Sequence, residues 1–192
     1  MPEVVRPVPP PDGDTYVVQI GNATRVLRKT RLAEGVYVPS FVMLGDTRLV
    51  EESAGVLAEK LRAYDFNILV GPEAKVVPLL QSLASRLGHE RYVVARKSIK
   101  AYMRDVLTVE ATSVTTHGKQ TLNLNGSDAE LIKGKRVAVV DDVVATGGSL
   151  EAVEKLVEMA GGTVVLRVAV MKEGAWFTRP LVYIGYLPVW TS

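Results

Sequence analysis

The sequence contains no cysteine, which excludes disulfide bonds and cysteine nucleophiles. Histidine is nearly missing too. His89 and His117 stand far apart, so no histidine-based zinc site is expected. No apolar run approaches the length of a membrane span, and the N-terminus lacks a secretory hydrophobic stretch; a cytoplasmic protein with no membrane partner is expected. Neither sign of charge is in marked excess. With 23 basic and 21 acidic residues the net charge is +2, which does not advertise a nucleic-acid face. No internal repeat and no linker divides the 192 residues, a length that allows one sizeable core with a small appendage.

What is present centres on residues 137–149. Val137-Ala138-Val139-Val140 reads as a buried parallel strand with apolar neighbours on both faces. Asp141 and Asp142 follow at its carboxyl end, where open α/β sheets hold their ligands. Thr146-Gly147-Gly148-Ser149 then opens a helix on which Leu150, Val153, Leu156, Val157 and Ala160 recur at helical spacing, stopped by Gly161-Gly162. Glycines allow close backbone approach, and free N–H groups with the helix dipole suit a phosphate. Two carboxylates would repel that phosphate. They suit a group beside it, either sugar hydroxyls or a hydrated Mg²⁺. A phosphate next to a diol is a phosphorylated ribose. One Asp at this place would be an ordinary helix cap; two adjacent acids with this loop point to a site.

Elsewhere the pattern repeats strand and helix. Residues 1–14 hold five prolines and read as an extended arm. Tyr16–Ile20 and Arg25–Leu27 around Gly21-Asn22 resemble a hairpin, and Val36 to Met43 is extended. Asp46 can cap a helix over about Thr47 to Tyr64. Phe66–Val70 is a strand, followed by a helix that closes at Gly88, and Tyr92–Ala95 is the next strand. Lys100 to Gln120 reads as a long hairpin or loop, and Leu122–Leu124 as a short strand. Thr163–Val170 and the stretch from Leu181 to Pro188 complete the strands. Strand–helix–strand units imply an α/β fold with a central parallel sheet flanked by helices. Two basic turns, Gly71-Pro72-Glu73-Ala74-Lys75 and Arg96-Lys97 with Lys100 and Arg104, stand at strand ends on the same edge as the acidic pair.

Asp141-Asp142 through Ser149 resembles the phosphoribosyl-pyrophosphate (PRPP) signature of type I phosphoribosyltransferases. Extended similarity runs from about Leu69 to Pro188 and is nearest to the adenine phosphoribosyltransferase-like branch. The resemblance implies that fold, with an N-terminal arm and small hood over residues 1–45, a core over residues 46–192, and a flexible hairpin lid from Ser98 to Gly118. It implies transfer of the phosphoribosyl group from PRPP to a purine base, giving a nucleoside monophosphate and pyrophosphate, as in purine salvage, with Mg²⁺ and a homodimer. Adenine is placed ahead of hypoxanthine, guanine and xanthine; a PRPP-sensing transcriptional regulator is the alternative.

By the same resemblance Asp141, Asp142 and Lys97 are catalytic, and Asp141 and Asp142 are candidate Mg²⁺ ligands beside PRPP. Val144, Ala145, Thr146, Gly147, Gly148 and Ser149 hold the 5′-phosphate. Gly71, Pro72, Glu73, Ala74, Lys75, Arg96, Lys97 and Lys100 hold pyrophosphate. Lys172, just after the Thr163–Val170 strand, would donate to a 6-oxopurine, Trp176 or Phe177 would stack on the base, and Val42 to Asp46 would form the hood. Two departures stand out. Lys75 replaces the usual Arg and loses its bidentate fork, and Thr116-His117-Gly118 replaces a Glu-Tyr-Gly ending of the lid. The acid expected near the purine nitrogen is therefore unassigned.

Overall fold

The computed structural model describes residues 13–111 and 120–191. The proline-rich arm up to residue 12 and the stretch with Thr116, His117 and Gly118 lie outside the described residues. Strands β1 (Thr15–Ile20) and β2 (Ala23–Ala33) form a hairpin through Gly21-Asn22, and β3 (Val36–Pro39) adds to it. After α1 (Thr47–Leu61) come β4 (Ile68–Pro72), α2 (Val77–Leu87) and β5 (Val93–Ala95). Strands β6 (Leu107–Ala111) and β7 (Gln120–Leu124) pair antiparallel. The chain continues through α3 (Gly126–Ile132), β8 (Arg136–Val144), α4 (Gly148–Met159), β9 (Thr163–Glu173), β10 (Val182–Leu187) and β11 (Trp190–Thr191).

The central sheet has the order β10-β9-β8-β4-β5, parallel throughout. Strand β8 lies in its middle, and its side chains alternate between two cores. Ala138 and Val140 pack with Leu49, Leu57, Leu79, Leu80 and Leu83 of α1 and α2. Val137 and Val139 pack with Leu150, Val153 and Leu156 of α4 and Leu122 and Leu124 of β7. Burial on both faces explains why the strand reads as an unbroken apolar run. A second sheet, β1-β2-β3-β11, is built mostly before α1, and Trp190 opposite Tyr37 brings the C-terminal strand into it.

Boundaries differ from the sequence reading in ways that matter for the site. Strand β8 continues past Val140 to Val144, so Asp141 and Asp142 belong to its last turn of pleat. Strand β9 continues past Val170 to Glu173, which puts Lys172 inside it. The first helix ends at Leu61 and not near Tyr64. In both strands, pairing with the neighbours carries the ladder past polar residues, Asp141-Asp142 in β8 and Lys172-Glu173 in β9, and composition does not report pairing.

Asp46 caps α1 as expected. Its Oδ1 accepts from the Leu49 N–H at 3.0 Å, and Arg25 donates to both carboxylate oxygens at 2.6 and 2.7 Å. Losing cap and bidentate pair together should lower stability in Asp46→Ala by about 1–2 kcal/mol. A urea titration should show a lower midpoint with an unchanged slope.

Candidate active site

The carboxyl ends of β4, β5, β8 and β9 surround one cleft of about 490 Å³. Pro72 to Lys75, Lys97, residues 141–150 and Glu173 form its floor and walls. Thr30, Leu32 and residues 38–42 roof it, and Ala111, Gln120 and Leu122 of the β6–β7 hairpin close one side. Only the first part of the expected hood is there. Phe41 and Val42 face the cleft, whereas Asp46 is occupied in capping α1.

Asp141 and Asp142 are both buried at the centre. The Asp142 N–H donates to Asp141 Oδ1 at 2.9 Å. Burial, and then the neighbouring Asp142 carboxyl, hold the Asp141 carboxyl well above the usual range, against the opposing field of Lys75. Asp142 Oδ2 is buried without a hydrogen-bond partner. A buried oxygen left so is a site for donors or a cation. Sugar hydroxyls supply donors, and the acid pair also has the hard oxygens that Mg²⁺ takes. Among the described residues no third acid or histidine completes a metal cluster, so such an ion would take its other ligands from substrate and water.

Beyond the pair, Gly147 has φ +90° and caps α4, with no side chain on the helix N-terminus. The N–H groups of the first turn therefore face the cleft unblocked, beside Thr146 and Ser149. A Cβ at Gly147 would collide with the ring of Phe177.

The basic residues separate into two groups. Lys75 and Lys97 line the cleft; among the described residues Arg96, Lys100 and Arg104 do not. Glu73 accounts for part of this. Its Oε2 accepts from the Lys97 N–H at 2.9 Å and lies 3.3 Å from Arg96 Nε, close enough to pair but not aligned as a hydrogen bond. Arg96 is further fixed by backbone pairing with Asn123. Glu73 is thus a brace between two turns, not an anion contact. Gly71 is buried in β4, where a Cβ would lie 2.6 Å from the Val140 carbonyl. Its bare backbone serves strand packing. The Glu73–Ala74 peptide is cis.

The base-side expectations need correction. Phe177 is only 2% exposed, packed under Gly147 with Arg179 over its ring at 5.1 Å, and has no face to offer a base. Trp176 is 51% exposed but outside the cleft lining. Lys172 points over Tyr183, 6.0 Å from its ring centre, and is also outside it. Strand alternation puts its neighbour inward instead: Glu173, 9% exposed, lines the cleft. Sequence reading missed it because Lys172-Glu173-Gly174 looks like a polar strand exit. Burial raises the Glu173 carboxyl to about 7, with Lys75 pulling the other way.

Between the ordinary glutamate value near 4.5 and about 7, the folded chain holds a Glu173 proton that the unfolded chain has released. Its stability contribution is present below that window and is lost as pH rises through it. Asp141 acts with the same sign. The melting temperature of the ligand-free chain should fall from pH 5 to pH 8, and Glu173→Gln should flatten the curve; equal slopes in both proteins would count against the buried assignment.

The phosphoribosyl transferase domain family matches residues 43–175 of this chain. Adenine phosphoribosyltransferase of Lachnoclostridium phytofermentans is 31% identical over 130 residues, covering 68% of this chain and 71% of that protein. The enzyme of the same name from Clostridium botulinum strain Alaska E43 is 36% identical over 126 residues, covering 64% and 68%. The crystal structure of adenine phosphoribosyltransferase from Thermoanaerobacter pseudethanolicus superposes with a TM-score of 0.68 at 25% identity, covering 83% of this chain and 95% of that one.

Proposed function

Since the chain belongs to the phosphoribosyl transferase domain family, we propose that it moves the 5-phosphoribosyl group of PRPP to a purine, adenine before others, releasing pyrophosphate and a nucleoside 5′-monophosphate for purine salvage. The observation that carries this is the buried Asp141-Asp142 pair, with an unpartnered oxygen, next to the open N-terminus of α4. A diol and a phosphate fit side by side there.

The ribose hydroxyls donate to the Asp141 and Asp142 oxygens, and the 5′-phosphate lies on the N–H groups after Gly147 with the Thr146 and Ser149 hydroxyls. The bond from C1 of the ribose to pyrophosphate breaks ahead of the new bond to nitrogen, so negative charge grows on the leaving group. Lys75 and Lys97 stabilise that charge, and the Glu73 brace fixes their two turns relative to each other. Mg²⁺, bound through PRPP and the acid pair, would add positive charge on the pyrophosphate oxygens. Phe41, Val42 and the hairpin residues exclude water from the developing cation. No side-chain nucleophile is required. Lys172 faces away from the cleft, which removes the residue that favoured a 6-oxopurine.

Product formation from PRPP and Mg²⁺, with adenine, hypoxanthine, guanine and xanthine offered separately, tests the reading. AMP as the main product is expected. Preferred turnover of a 6-oxopurine would overturn the choice of base, and saturable PRPP binding without turnover of any base would point to a regulator.

A further inference from the structure

The order of strands along the cleft assigns a direction to the reaction. Moving across the sheet, the strand ends carry Glu173 (β9), the acid pair (β8), Lys75 (the turn after β4) and Lys97 (after β5). The cations that suit the leaving group lie on one side of the acid pair, toward β4 and β5. In a displacement at C1 of the ribose, the incoming nitrogen enters opposite the departing oxygen. With the ribose held at β8, the base therefore enters on the β9 side, under Phe41 and Val42. The carboxyl group at that end is Glu173.

Chemistry asks for a group there. A neutral purine brings a ring N–H, and its nitrogen cannot keep that proton once it is bonded to C1. Glu173 is 9% exposed and lines the cleft wall. A carboxyl held largely out of water on the wall of a cleft is costly to ionise and well placed to take a donor from a ligand. The charged and titratable groups around it are Lys75 from the turn after β4 and Tyr186 on β10, with Asp141 and Asp142 lining the same cleft from the adjacent strand β8. Lys75 also acts on Asp141, so its charge reaches both the acid pair and Glu173.

We propose that Glu173 is the proton acceptor for the incoming base: its carboxylate takes the hydrogen bond, and then the proton, of the purine ring N–H. This rests on the phosphoribosyl-transfer reading and replaces the acid that the Thr116-His117-Gly118 ending leaves unassigned. The ring nitrogen forms its bond to C1 while the bond from C1 to pyrophosphate breaks and pyrophosphate leaves with the electron pair. The ring N–H bond breaks, its electrons stay in the purine, and the proton moves to Glu173, which later releases it to water. A carboxyl near 7 is matched to that task close to neutral pH.

The test uses the full chain with PRPP, Mg²⁺ and adenine, comparing wild type, Glu173→Gln and Glu173→Asp from pH 5.5 to 9. Gln keeps an oxygen that accepts the N–H hydrogen bond but cannot take the proton. Its single-turnover rate should fall about 10²–10³-fold, with KM for adenine and for PRPP each within about threefold of wild type. The wild-type profile should rise through about pH 7, and Gln should remove that limb. Glu173→Asp should keep the limb at a reduced rate. Circular dichroism and melting curves report folding of each variant. An active wild type whose Gln variant keeps both rate and limb overturns this role alone, as does a parallel rise of KM for PRPP. A wild type that turns over no base overturns the transfer reading and this role with it.

Discussion

Asp142→Asn should lower kcat/KM for PRPP by about 10²–10³-fold while raising the melting temperature. The two effects have one cause. Asp142 Oδ2 is buried with no partner, and its neighbour Asp141 is a second buried acid. In the free chain this is an unfavourable arrangement of like groups, and removing one charge relieves it. In the proposed complex with PRPP, the same oxygen meets a ribose hydroxyl or a cation. An amide that turns its NH₂ toward that point presents a donor to a donor. Loss of a charge-assisted hydrogen bond, together with an unpaired partner, amounts to about 3–4 kcal/mol, and each 1.4 kcal/mol is tenfold. Asp141→Asn should act in the same direction but more weakly on binding, since its Oδ1 accepts from the Asp142 N–H and an amide oxygen can replace it. Steady-state kinetics and a melting curve on the same preparations decide the matter. Activity and stability falling together would mean that the pair supports the fold.

Gly147→Ala is expected to abolish productive PRPP binding, with at least a 100-fold rise in KM, and to lower stability by about 2–4 kcal/mol. Two independent obstacles coincide at this residue. Its φ of +90° strains any side chain, and a Cβ would run into the Phe177 ring. Phe177 cannot move aside freely, because it is buried beneath Arg179. Arg179 in turn donates to Glu154 at 2.7 Å, and Arg167 donates to the same carboxylate at 2.6 Å. Relief must come from the helix N-terminus, whose N–H groups then leave the phosphate position. The double variant Gly147→Ala with Phe177→Ala separates the obstacles. It should recover part of the PRPP affinity, the part due to collision, and leave the conformational part. Full recovery would show that φ is unimportant here; no recovery would show that the ring is.

Much of the site was legible in the residues themselves. The acid pair, the Thr-Gly-Gly-Ser opening of α4 and the Asp46 cap all depend on neighbours a few positions apart, and short-range spacing records them. The roles that went astray depend on which way a side chain faces. Lys172 and Glu173 are adjacent, and only the sheet register decides that Glu173 enters the cleft while Lys172 crosses to Tyr183. Phe177 looks like a free aromatic until its packing against a glycine 30 residues earlier is known. Arg96 and Lys97 are equally basic on paper, and the carboxylate of Glu73 with the pairing to Asn123 sets them apart. The β11–β3 pair, two residues long, gives no periodic signal at all.

That small pair also governs how the cleft can be entered. The sheet over the cleft is attached to the core at two places, by Ser40–Asp46 running into α1 and by Pro188-Val189 between β10 and β11. Tyr16 on β1 adds a contact from its hydroxyl to the Tyr186 carbonyl at 3.5 Å. A cover moored at two points turns about the line that joins them, like a door on two hinges, but does not slide along the core or lift away from it. In the proposed reaction, opening of the roof over sugar and base is therefore a tilt about that line, while Ala111, Gln120 and Leu122 keep their side of the cleft closed.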